Sequence, residues 1–225
     1  DQVRHDDFKT FYETINIDGE IPNMKYPCSG VILAGGLSTR FSGQNKAFIS
    51  IGGKRILDHI YEVFNKLFTE IILVTNDPIK YLEWDLNIGT DLFPIRSSLT
   101  GIHAGLFYST NPYSFFIACD TPFLKTEMAE AIVNSIEPGV DIVLPETSEG
   151  IQPLCAVYSK QCLKYVEGQL TRKELQIRRF FKKVRIKKLP ENLLQKNDPD
   201  LLSFFNINTP DDLAKAEKIV QNMFK

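Results

Sequence analysis

Short apolar runs alternate with amphipathic segments along the chain from residue 27 onward. The apolar runs predict strands at Gly30–Leu33, Glu70–Thr75, Asn87–Thr90, Tyr113–Cys119, Val140–Leu144 and Gln152–Tyr158. Intervening segments predict helices at Arg55–Phe68, Gly101–Ser109, Lys125–Ser135 and Asp211–Phe224. Because strands that are apolar on both faces and separated by helices form parallel sheets covered on both sides, the pattern indicates an α/β fold with a mostly parallel sheet.

Such a sheet binds its ligands at the carboxyl ends of the strands. No linker rich in Pro, Gly or Ser divides the 225 residues, so we expect a single domain over residues 27–225. Residues 1–26 are polar and acidic, and we interpret them as an N-terminal extension without an assigned role. The segment Leu189–Asp200 is expected to be a polar loop before the last strand.

Composition and charge exclude several classes of protein. The net charge of −2 argues against a globally basic nucleic-acid-binding protein. The four cysteines form no CxxC pair, and we expect Cys28, Cys119 and Cys155 to be buried free thiols. No apolar run approaches the roughly 20 residues that span a bilayer, and the N-terminus has no signal pattern. We therefore expect a cytoplasmic protein that binds neither nucleic acid nor membrane.

A glycine-rich segment follows the first predicted strand, LAGGLSTRFSGQNKAF at Leu33–Phe48. Gly35 and Gly36 allow backbone N–H groups to approach an anion closely. Arg40 and Lys46 supply the cations that a triphosphate requires. The P-loop pattern GxxxxGK[ST] and the dinucleotide pattern GxGxxG are both absent here. The alternative is a surface turn with solvated cations.

Asp120 follows the apolar strand SFFIAC and precedes Thr121 and Pro122. A carboxylate at the end of a strand is suited to hold Mg²⁺, which prefers hard oxygen ligands. An aspartate in this position is equally suited to cap the next helix. The residues alone leave these two roles open.

The glycine-rich segment has the form LAGG-x-S-x-R-(x)5-K-A, and further motifs follow it in order along the chain. They are Gly52-Gly53-Lys54, Gly101-Ile102-His103-Ala104-Gly105, Cys119-Asp120-Thr121-Pro122, Gln152-Pro153 and Asn206-Ile207-Asn208-Thr209-Pro210. Over residues 28–222 the chain resembles the molybdenum cofactor guanylyltransferases, a branch of the Rossmann-like nucleotidyltransferases. This resemblance implies a three-layer α/β/α sandwich of the nucleotidyltransferase type.

The resemblance also implies an activity. The enzyme would transfer GMP from GTP to the phosphate of molybdenum-molybdopterin and release pyrophosphate, with Mg²⁺ as cofactor. Arg40, Lys46 and Asp120 would be the catalytic residues, and Asp120 would also bind the metal. Asn208 is the expected second metal ligand. The alternative is that Asn208 or Thr209 caps the last helix.

The nucleotide site follows from the same resemblance. Its expected residues are Leu33, Ala34, Gly35, Gly36, Lys46, Asn76, Asp91 and Asp120. An Ala-Gly-Gly order is typical of the guanine-selective members, which favours GTP over CTP. Asn76 is alternatively part of a simple turn. The connection from Asp91 to Gly101 is longer than we expect for the family.

The acceptor site is less defined. Arg172–Lys188 contains nine lysines and arginines and one glutamate, and such runs are usually solvated helix faces. Leu175, Ile177, Phe180 and Phe181 are expected to pack inward. The acceptor-binding candidates are Asn206, Arg172 and Lys173. Molybdoenzymes or their chaperones are the expected partners.

The predicted reaction combines positioning with electrostatic stabilisation, because the acceptor phosphate is already ionised and requires no general base. His103, expected at the start of a helix, would orient a loop rather than take part in catalysis. Two alternatives remain at this point. One is a related nucleotidyltransferase that uses CTP or a sugar phosphate, and the other is a non-catalytic nucleotide-binding regulator with the same fold.

Overall fold

A computed structural model describes residues 27–35, 45–84 and 86–223. The strands are β1 (Cys28–Leu33), β2 (Ser50–Ile51), β3 (Lys54–Arg55), β4 (Ile71–Val74), β5 (Asn87–Gly89), β6 (Tyr113–Ala118), β7 (Ile142–Thr147), β8 (Gly150–Ile151), β9 (Cys155–Ser159) and β10 (Ile186–Pro190). Within the described residues the main sheet has the order β10-β7-β9-β6-β1-β4-β5, with β8 paired to β7. β2 and β3 form a separate hairpin.

Helices cover both faces of this sheet. They are α1 (Ile56–Leu67), α2 (Ser98–Tyr108), α3 (Thr126–Val133), α4 (Leu163–Thr171), α5 (Glu191–Leu194) and α6 (Pro210–Met223). Short 3₁₀ turns lie at Lys46–Phe48, Pro78–Tyr81, Lys160–Cys162, Ile177–Lys183 and Leu202–Phe204. All pairings of the main sheet are parallel except those that β9 and β8 make. The prediction of a three-layer sandwich with a mostly parallel sheet is therefore confirmed.

Two hydrophobic clusters lie on opposite faces of the sheet. One packs beneath α1, α3 and α6, and the other beneath α2, α4 and the 3₁₀ turn Ile177–Lys183. Neighbouring residues of β6 show the division, since Phe115 belongs to the first cluster and Phe116 to the second. Successive side chains of a strand point to opposite faces, so a central strand must be apolar throughout. This is why the run SFFIA was recognisable as a strand.

Most predicted elements are observed with shifts of up to three residues at their ends; the predicted strand Gln152–Tyr158, for example, begins at Cys155. Two predictions for the C-terminal part are wrong. The predicted loop Leu189–Asp200 contains the end of β10 and the whole of α5. After it comes the 3₁₀ turn Leu202–Phe204 instead of a last strand.

The basic stretch Arg172–Lys188 is also not a regular solvated helix. It forms a 3₁₀ turn that leads into β10, the edge strand of the sheet. Phe180 is buried, and Ile177 and Phe181 pack against the core as expected. Leu175 is exposed, so the prediction that it packs inward is wrong.

The cysteines are free and buried, as predicted for Cys28, Cys119 and Cys155. Cys162 is buried as well. Burial raises the pKa of all four thiols because it disfavours the charged thiolate. Within the described residues, no helix combines the length and the apolar character that crossing a membrane requires.

The close approach of α2 to the sheet gives a test of the packing. A Cβ atom at Gly105 would lie 2.5 Å from Phe116 and 2.7 Å from Val31, both fully buried. Gly105→Ala should lower the free energy of unfolding by about 1–2 kcal/mol, because the overpacking exceeds the gain in helix propensity.

Gly168→Ala in α4 is the matched control, because its Cβ would meet only Arg172, at 3.7 Å. This substitution should leave stability unchanged or raise it by up to about 1 kcal/mol. Urea denaturation measures both variants. Equal effects of the two substitutions would contradict the packing described here.

Candidate active site

The carboxyl ends of four neighbouring strands lie in one row. Leu33 of β1 pairs with Ala118 of β6 and with Val74 of β4, and Val74 pairs with Gly89 of β5. Backbone hydrogen bonds continue just beyond this row, from Ala34 N to Val74 O (2.8 Å) and from Cys119 N to Leu33 O (3.0 Å). The residues that follow each strand therefore meet at one edge of the sheet, where parallel folds bind ligands.

Lys46 joins two distant parts of the sequence at this edge. Its Nζ donates to Oδ2 of Asp120 at 3.0 Å and to Oδ1 of Asn208 at 2.9 Å. The side chains of Lys46 and Asp120 are only 18% and 21% exposed, so solvent screens their attraction less than it would at the surface. Lys46 thus contacts both predicted metal ligands, one of which, Asp120, is also a predicted catalytic residue.

Asn45 and Tyr81 position the backbone that carries Lys46. Asn45 Oδ1 accepts from the N–H of Ala47 at 3.0 Å, which caps the 3₁₀ turn beginning at Lys46. Asn45 Nδ2 donates to the hydroxyl of Tyr81 at 2.6 Å, and this hydroxyl donates to the carbonyl of Ala34 at 3.3 Å. Tyr81 is fully buried. The end of β1 and the start of this turn are therefore held together through one ring.

The C-terminal segment reaches the same edge through contacts to the Asp120 motif. The N–H of Ile207 donates to the carbonyl of Asp120 at 2.9 Å. The hydroxyl of Thr121 donates to Oδ1 of Asn206 at 3.0 Å. Ile207 itself is fully buried and anchors the segment in the core. These contacts place the exposed Asn206 and the half-buried Asn208 beside Asp120.

Thr209, and not Asn208, caps helix α6. Its hydroxyl accepts from the N–H of Asp212 at 3.2 Å, and the Asp212 carboxylate accepts from the N–H groups of Asn208 and Thr209. The Thr209 hydroxyl, which also donates to this carboxylate at 2.9 Å, and the N–H of Asn208 hold the pKa of Asp212 below its ordinary value. The reciprocal arrangement satisfies the free donors of the first turn. The side chain of Asn208 is consequently available to contact Lys46.

Asn76 and Asp91 meet at the far end of the row. Asn76 Nδ2 donates to Asp91 Oδ2 at 2.7 Å, although the two residues follow different strands. Burial raises the pKa of Asp91, and this effect is opposed by the Asn76 bond and by the nearby side chains of Arg96 and His103. A Cβ atom at Gly35 would lie 3.7 Å from the Asn76 amide. Both predicted nucleotide contacts are therefore adjacent to the glycine segment.

Two adjoining cavities open along this edge. The larger, of about 380 Å³, is lined by Leu33, Gly35, Asn45, Lys46, Val74, Asp91, Arg96, Ser97, Ser98, Gly101, Ala118, Cys119, Asp120 and Leu154. The smaller, of about 280 Å³, is lined by Ala118, Asp120, Thr121, Gln152, Pro153, Leu154, Cys155, Phe204, Asn206 and Asn208. Asp120 lines both cavities and lies where they meet.

Some predicted site residues are not placed in these cavities. Gly36 and Arg40 lie outside the described residues. Arg172 and Lys173 line neither cavity, and Arg172 forms an ion pair with Glu174 at 3.6 Å. Their assignment to acceptor binding stays a prediction.

Sequence reasoning missed Asn45, Tyr81 and Arg96. Asn45 and Tyr81 act through tertiary contacts that no local sequence pattern predicts. Arg96 is a lone cation in a loop, and its only signal was its place between Asp91 and the start of the next helix.

Comparison with known proteins bears on this arrangement. Residues 30–189 match the family described as the MobA-like NTP transferase domain, which is most of the chain. The chain belongs to this family. It is 44% identical over 193 residues to the molybdenum cofactor guanylyltransferase of Desulfosudis oleivorans, covering 86% of this chain and 96% of that protein. A probable molybdenum cofactor guanylyltransferase of Natranaerobius thermophilus is 36% identical, covering 84% and 95% respectively.

Solved structures agree with this membership in the MobA-like family. The molybdopterin-guanine dinucleotide biosynthesis protein A of Archaeoglobus fulgidus superposes with a TM-score of 0.77 at 28% identity. The alignment covers 87% of this chain and all of that protein. A 4-diphosphocytidyl-2C-methyl-D-erythritol synthase of Anaerococcus prevotii has a TM-score of 0.64 at 19% identity and shares the fold alone.

His103 of this MobA-like transferase lies in the middle of α2, and not at the start of a helix as expected. It is only 4% exposed, and its ring packs edge-on against Phe93 with centroids 4.9 Å apart. It lines neither cavity. Burial lowers its pKa below the ordinary value of 6.5, despite the opposing carboxylates of Glu167 and Asp91. A neutral ring packed against the loop before α2 is consistent with a supporting role.

The lowered pKa of His103 makes stability depend on pH. Near its ordinary pKa of 6.5 the unfolded chain takes up a proton that the folded chain still excludes. The contribution is therefore fully present above this pH and is lost as the pH falls toward the folded pKa. His103→Gln removes the titrating group. Its melting temperature should fall less steeply than that of the wild type between about pH 6.5 and pH 5.

The melting temperatures of the wild type and His103→Gln are measured at several pH values. Their difference at about pH 8, where His103 is neutral in both the folded and the unfolded chain, measures the effect of altered packing alone. Parallel curves for the two proteins throughout the acidic range would show that His103 is not kept neutral by the fold.

Proposed function

We propose that this protein transfers the guanylyl group of GTP to the phosphate of a molybdenum-molybdopterin. The products are molybdopterin guanine dinucleotide and pyrophosphate. Membership in the MobA-like family supports this, as does the 44% identity to the molybdenum cofactor guanylyltransferase of Desulfosudis oleivorans over nearly its whole length.

The observation that carries the proposal is the pair of cavities that meet at Asp120. A transferase for two substrates must bring a donor phosphorus and an acceptor oxygen into contact. The larger cavity accommodates the nucleotide and the smaller one the acceptor. The bond between them would then form beside Asp120 and Lys46, the charged pair at the junction.

The nucleotide would lie across the ends of β6, β1, β4 and β5. The backbone of Leu33, Ala34 and Gly35 lies at the centre of this row, and Asn76 and Asp91 lie at its far end. We assign the triphosphate to the end that contains Lys46 and Asp120, and the base and ribose to the end that contains Asp91. Gly36 and Arg40 retain the phosphate-binding roles that the sequence predicts.

The residues at the junction fit a magnesium ion. Asp120 and Asn208 offer a carboxylate and an amide oxygen, and both lie within 3.0 Å of the same Lys46 Nζ. Mg²⁺ usually takes one or two protein oxygens and completes its shell with phosphates and water. Within the described residues, no group of three or more His, Cys, Asp and Glu side chains offers an all-protein site. When bound to Asp120 and Asn208, the ion would neutralise phosphate charge.

Lys46 supplies the remaining charge stabilisation. An ammonium group has three donors, and two of them are directed to Asp120 and Asn208. Among the described residues nothing else accepts from this ammonium, so its third donor can contact a phosphate oxygen. An oxygen of the acceptor phosphate attacks the α-phosphorus, and the bond from this phosphorus to the bridging oxygen of pyrophosphate breaks. Because the attacking oxygen is already ionised, these residues contribute positioning and electrostatics instead of proton transfer.

On the acceptor side, the smaller cavity offers several uncharged polar side chains. Gln152, Thr121 and Asn206 line it, and Thr121 fixes the orientation of the Asn206 amide. These groups would hydrogen-bond a polar ring system. Asn206 therefore retains its predicted acceptor-binding role, and Arg172 and Lys173 are candidates for contacts beyond the cavity.

The reaction is tested by incubating the protein with GTP, Mg²⁺ and molybdenum-molybdopterin and analysing the products by mass spectrometry. We expect molybdopterin guanine dinucleotide together with an equal amount of pyrophosphate. Preferential use of CTP in the same assay would replace the guanylyl assignment. Binding of GTP without release of pyrophosphate would indicate a regulator with this fold.

Variants at the junction test the assignment of residues. Lys46→Ala and Asp120→Ala should each lower turnover by about 100-fold or more, because each removes a preorganised charge next to the transferred phosphoryl group. Lys187→Ala serves as the control, since this lysine pairs with Glu137 and lies on the edge strand β10. Turnover is measured as the rate of pyrophosphate release by each variant, after its folding has been verified. Near-normal turnover in either junction variant would contradict the assignment.

A further inference from the structure

The loop from Leu92 to Ser97 is fixed by the helix that follows it. The Ser97 hydroxyl accepts from the N–H of Thr100 at 3.1 Å and caps α2. The Thr100 hydroxyl donates to the carbonyl of Ile95 at 2.7 Å, and the ring of Phe93 packs against His103. The backbone on either side of Arg96 therefore has a defined position, although the loop is on the surface.

Arg96 lines the larger cavity from this loop. Its side chain is exposed, and no hydrogen bond or ion pair links it to any residue in the described ranges. Other charged groups around the cavity have partners, such as Lys46 with Asp120 and Asp91 with Asn76. The donors of Arg96 are therefore available to a molecule in the cavity.

Asp91 lines the same cavity close to Arg96. Only Oδ2 of its carboxylate accepts the Asn76 amide, and no described residue donates to Oδ1. Burial raises the pKa of Asp91, and the guanidinium of Arg96 is near enough to oppose part of this rise. The cavity thus presents an acceptor with free capacity beside an arginine with five donors.

This pair of side chains lies away from the phosphate end of the cavity. Asp120 follows β6 and Asp91 follows β5, and β1 and β4 lie between these strands. With neighbouring strands about 4.8 Å apart, the two carboxylates are separated by roughly 14 Å along the edge. A nucleoside triphosphate with its phosphates beside Asp120 would therefore place its base near Asp91 and Arg96.

Guanine matches this pair of side chains. It presents the acceptors N7 and O6 on one edge and the donors N1–H and N2–H₂ on the adjoining edge, and arginine pairs with O6 and N7 through two parallel bonds. We propose that Arg96 is a specificity-determining residue that donates to guanine O6 and N7 while Asp91 accepts from N1–H and N2–H₂. This inference rests on the proposed function for the class of nucleotide bound.

The same arrangement disfavours adenine and cytosine. Adenine and cytosine carry an amino group where guanine carries O6, so an arginine would face a donor there. Neither base has a proton on the ring nitrogen that would face Asp91. Specificity would then come from unsatisfied donors and acceptors as much as from attraction.

Guanine analogues test each half of the pair by calorimetric titration of the full chain in the presence of Mg²⁺. 7-Deaza-GTP lacks N7, and we expect it to bind about 10-fold more weakly than GTP, as for loss of a hydrogen bond to a charged donor. ITP lacks the N2 amino group that would donate to Asp91. We therefore expect ITP to bind more weakly than GTP, and this penalty tests Asp91 instead of Arg96.

Arg96→Met should weaken GTP binding by roughly 10-fold or more and should abolish the difference between GTP and 7-deaza-GTP. The penalty for ITP should persist in this variant. Arg96→Lys keeps the charge but lacks the planar pair of donors, so it should also lose the 7-deaza discrimination. Arg185→Met is the matched control, since this exposed arginine precedes β10 at the opposite edge of the sheet, and its titrations should match the wild type.

Equal binding of GTP and 7-deaza-GTP by the wild type would overturn the inference, whatever the variants do. So would persistence of their difference in Arg96→Met. Binding that discriminates among the analogues without formation of dinucleotide would leave the inference standing and remove the proposed transfer reaction. Formation of dinucleotide without discrimination at N7 would overturn the inference and leave the proposed transfer reaction standing.

Discussion

The ammonium group of Lys46, shared between Asp120 and Asn208, joins the parts of the chain on which the candidate site depends. Lys46 lies in the glycine-rich segment, Asp120 follows β6 and Asn208 precedes the last helix. An ammonium and a carboxylate that are mostly removed from water are costly unless paired. Without the carboxylate, Lys46 would be drawn toward solvent and the two cavities would lose their charged junction.

The sheet makes this junction possible before any side chain is considered. Parallel pairing brings the ends of β1, β4, β5 and β6 to one row, so residues 35, 76, 91 and 120 converge. The C-terminal segment joins them through one backbone bond, from Ile207 to Asp120, and one side-chain bond, from Thr121 to Asn206. The backbone sets the positions, and the polar side chains at the strand ends define the chemistry.

The convergence of Lys46 with Asp120 was predictable, because strand ends and the order of the motifs were both readable in the sequence. The choice between Asn208 and Thr209 was not, since either residue can cap a helix. Only the tertiary contact with Lys46 separates their roles. The last strand expected after Leu189–Asp200 is instead the 3₁₀ turn Leu202–Phe204, and no described strand pairs with this segment. The nine cations of Arg172–Lys188 likewise suggested a solvated helix, whereas the end of this stretch belongs to the edge strand β10.

Charge neutralisation and base recognition occur at different ends of the cleft, and this separation has a physical reason. Attraction between a lysine and a triphosphate is strong but does not depend on the base, so Lys46 cannot select among nucleotides. Selection requires donors and acceptors in fixed positions. The bond from Asn76 orients the carboxylate of Asp91, and the bond from Thr100 to Ile95 fixes the loop that carries Arg96. Among the described residues, Lys46 and Arg96 each have a carboxylate beside them, from Asp120 and Asp91, so these side chains give the cleft little net positive charge. Binding would therefore depend on matching both ends of the cleft at once.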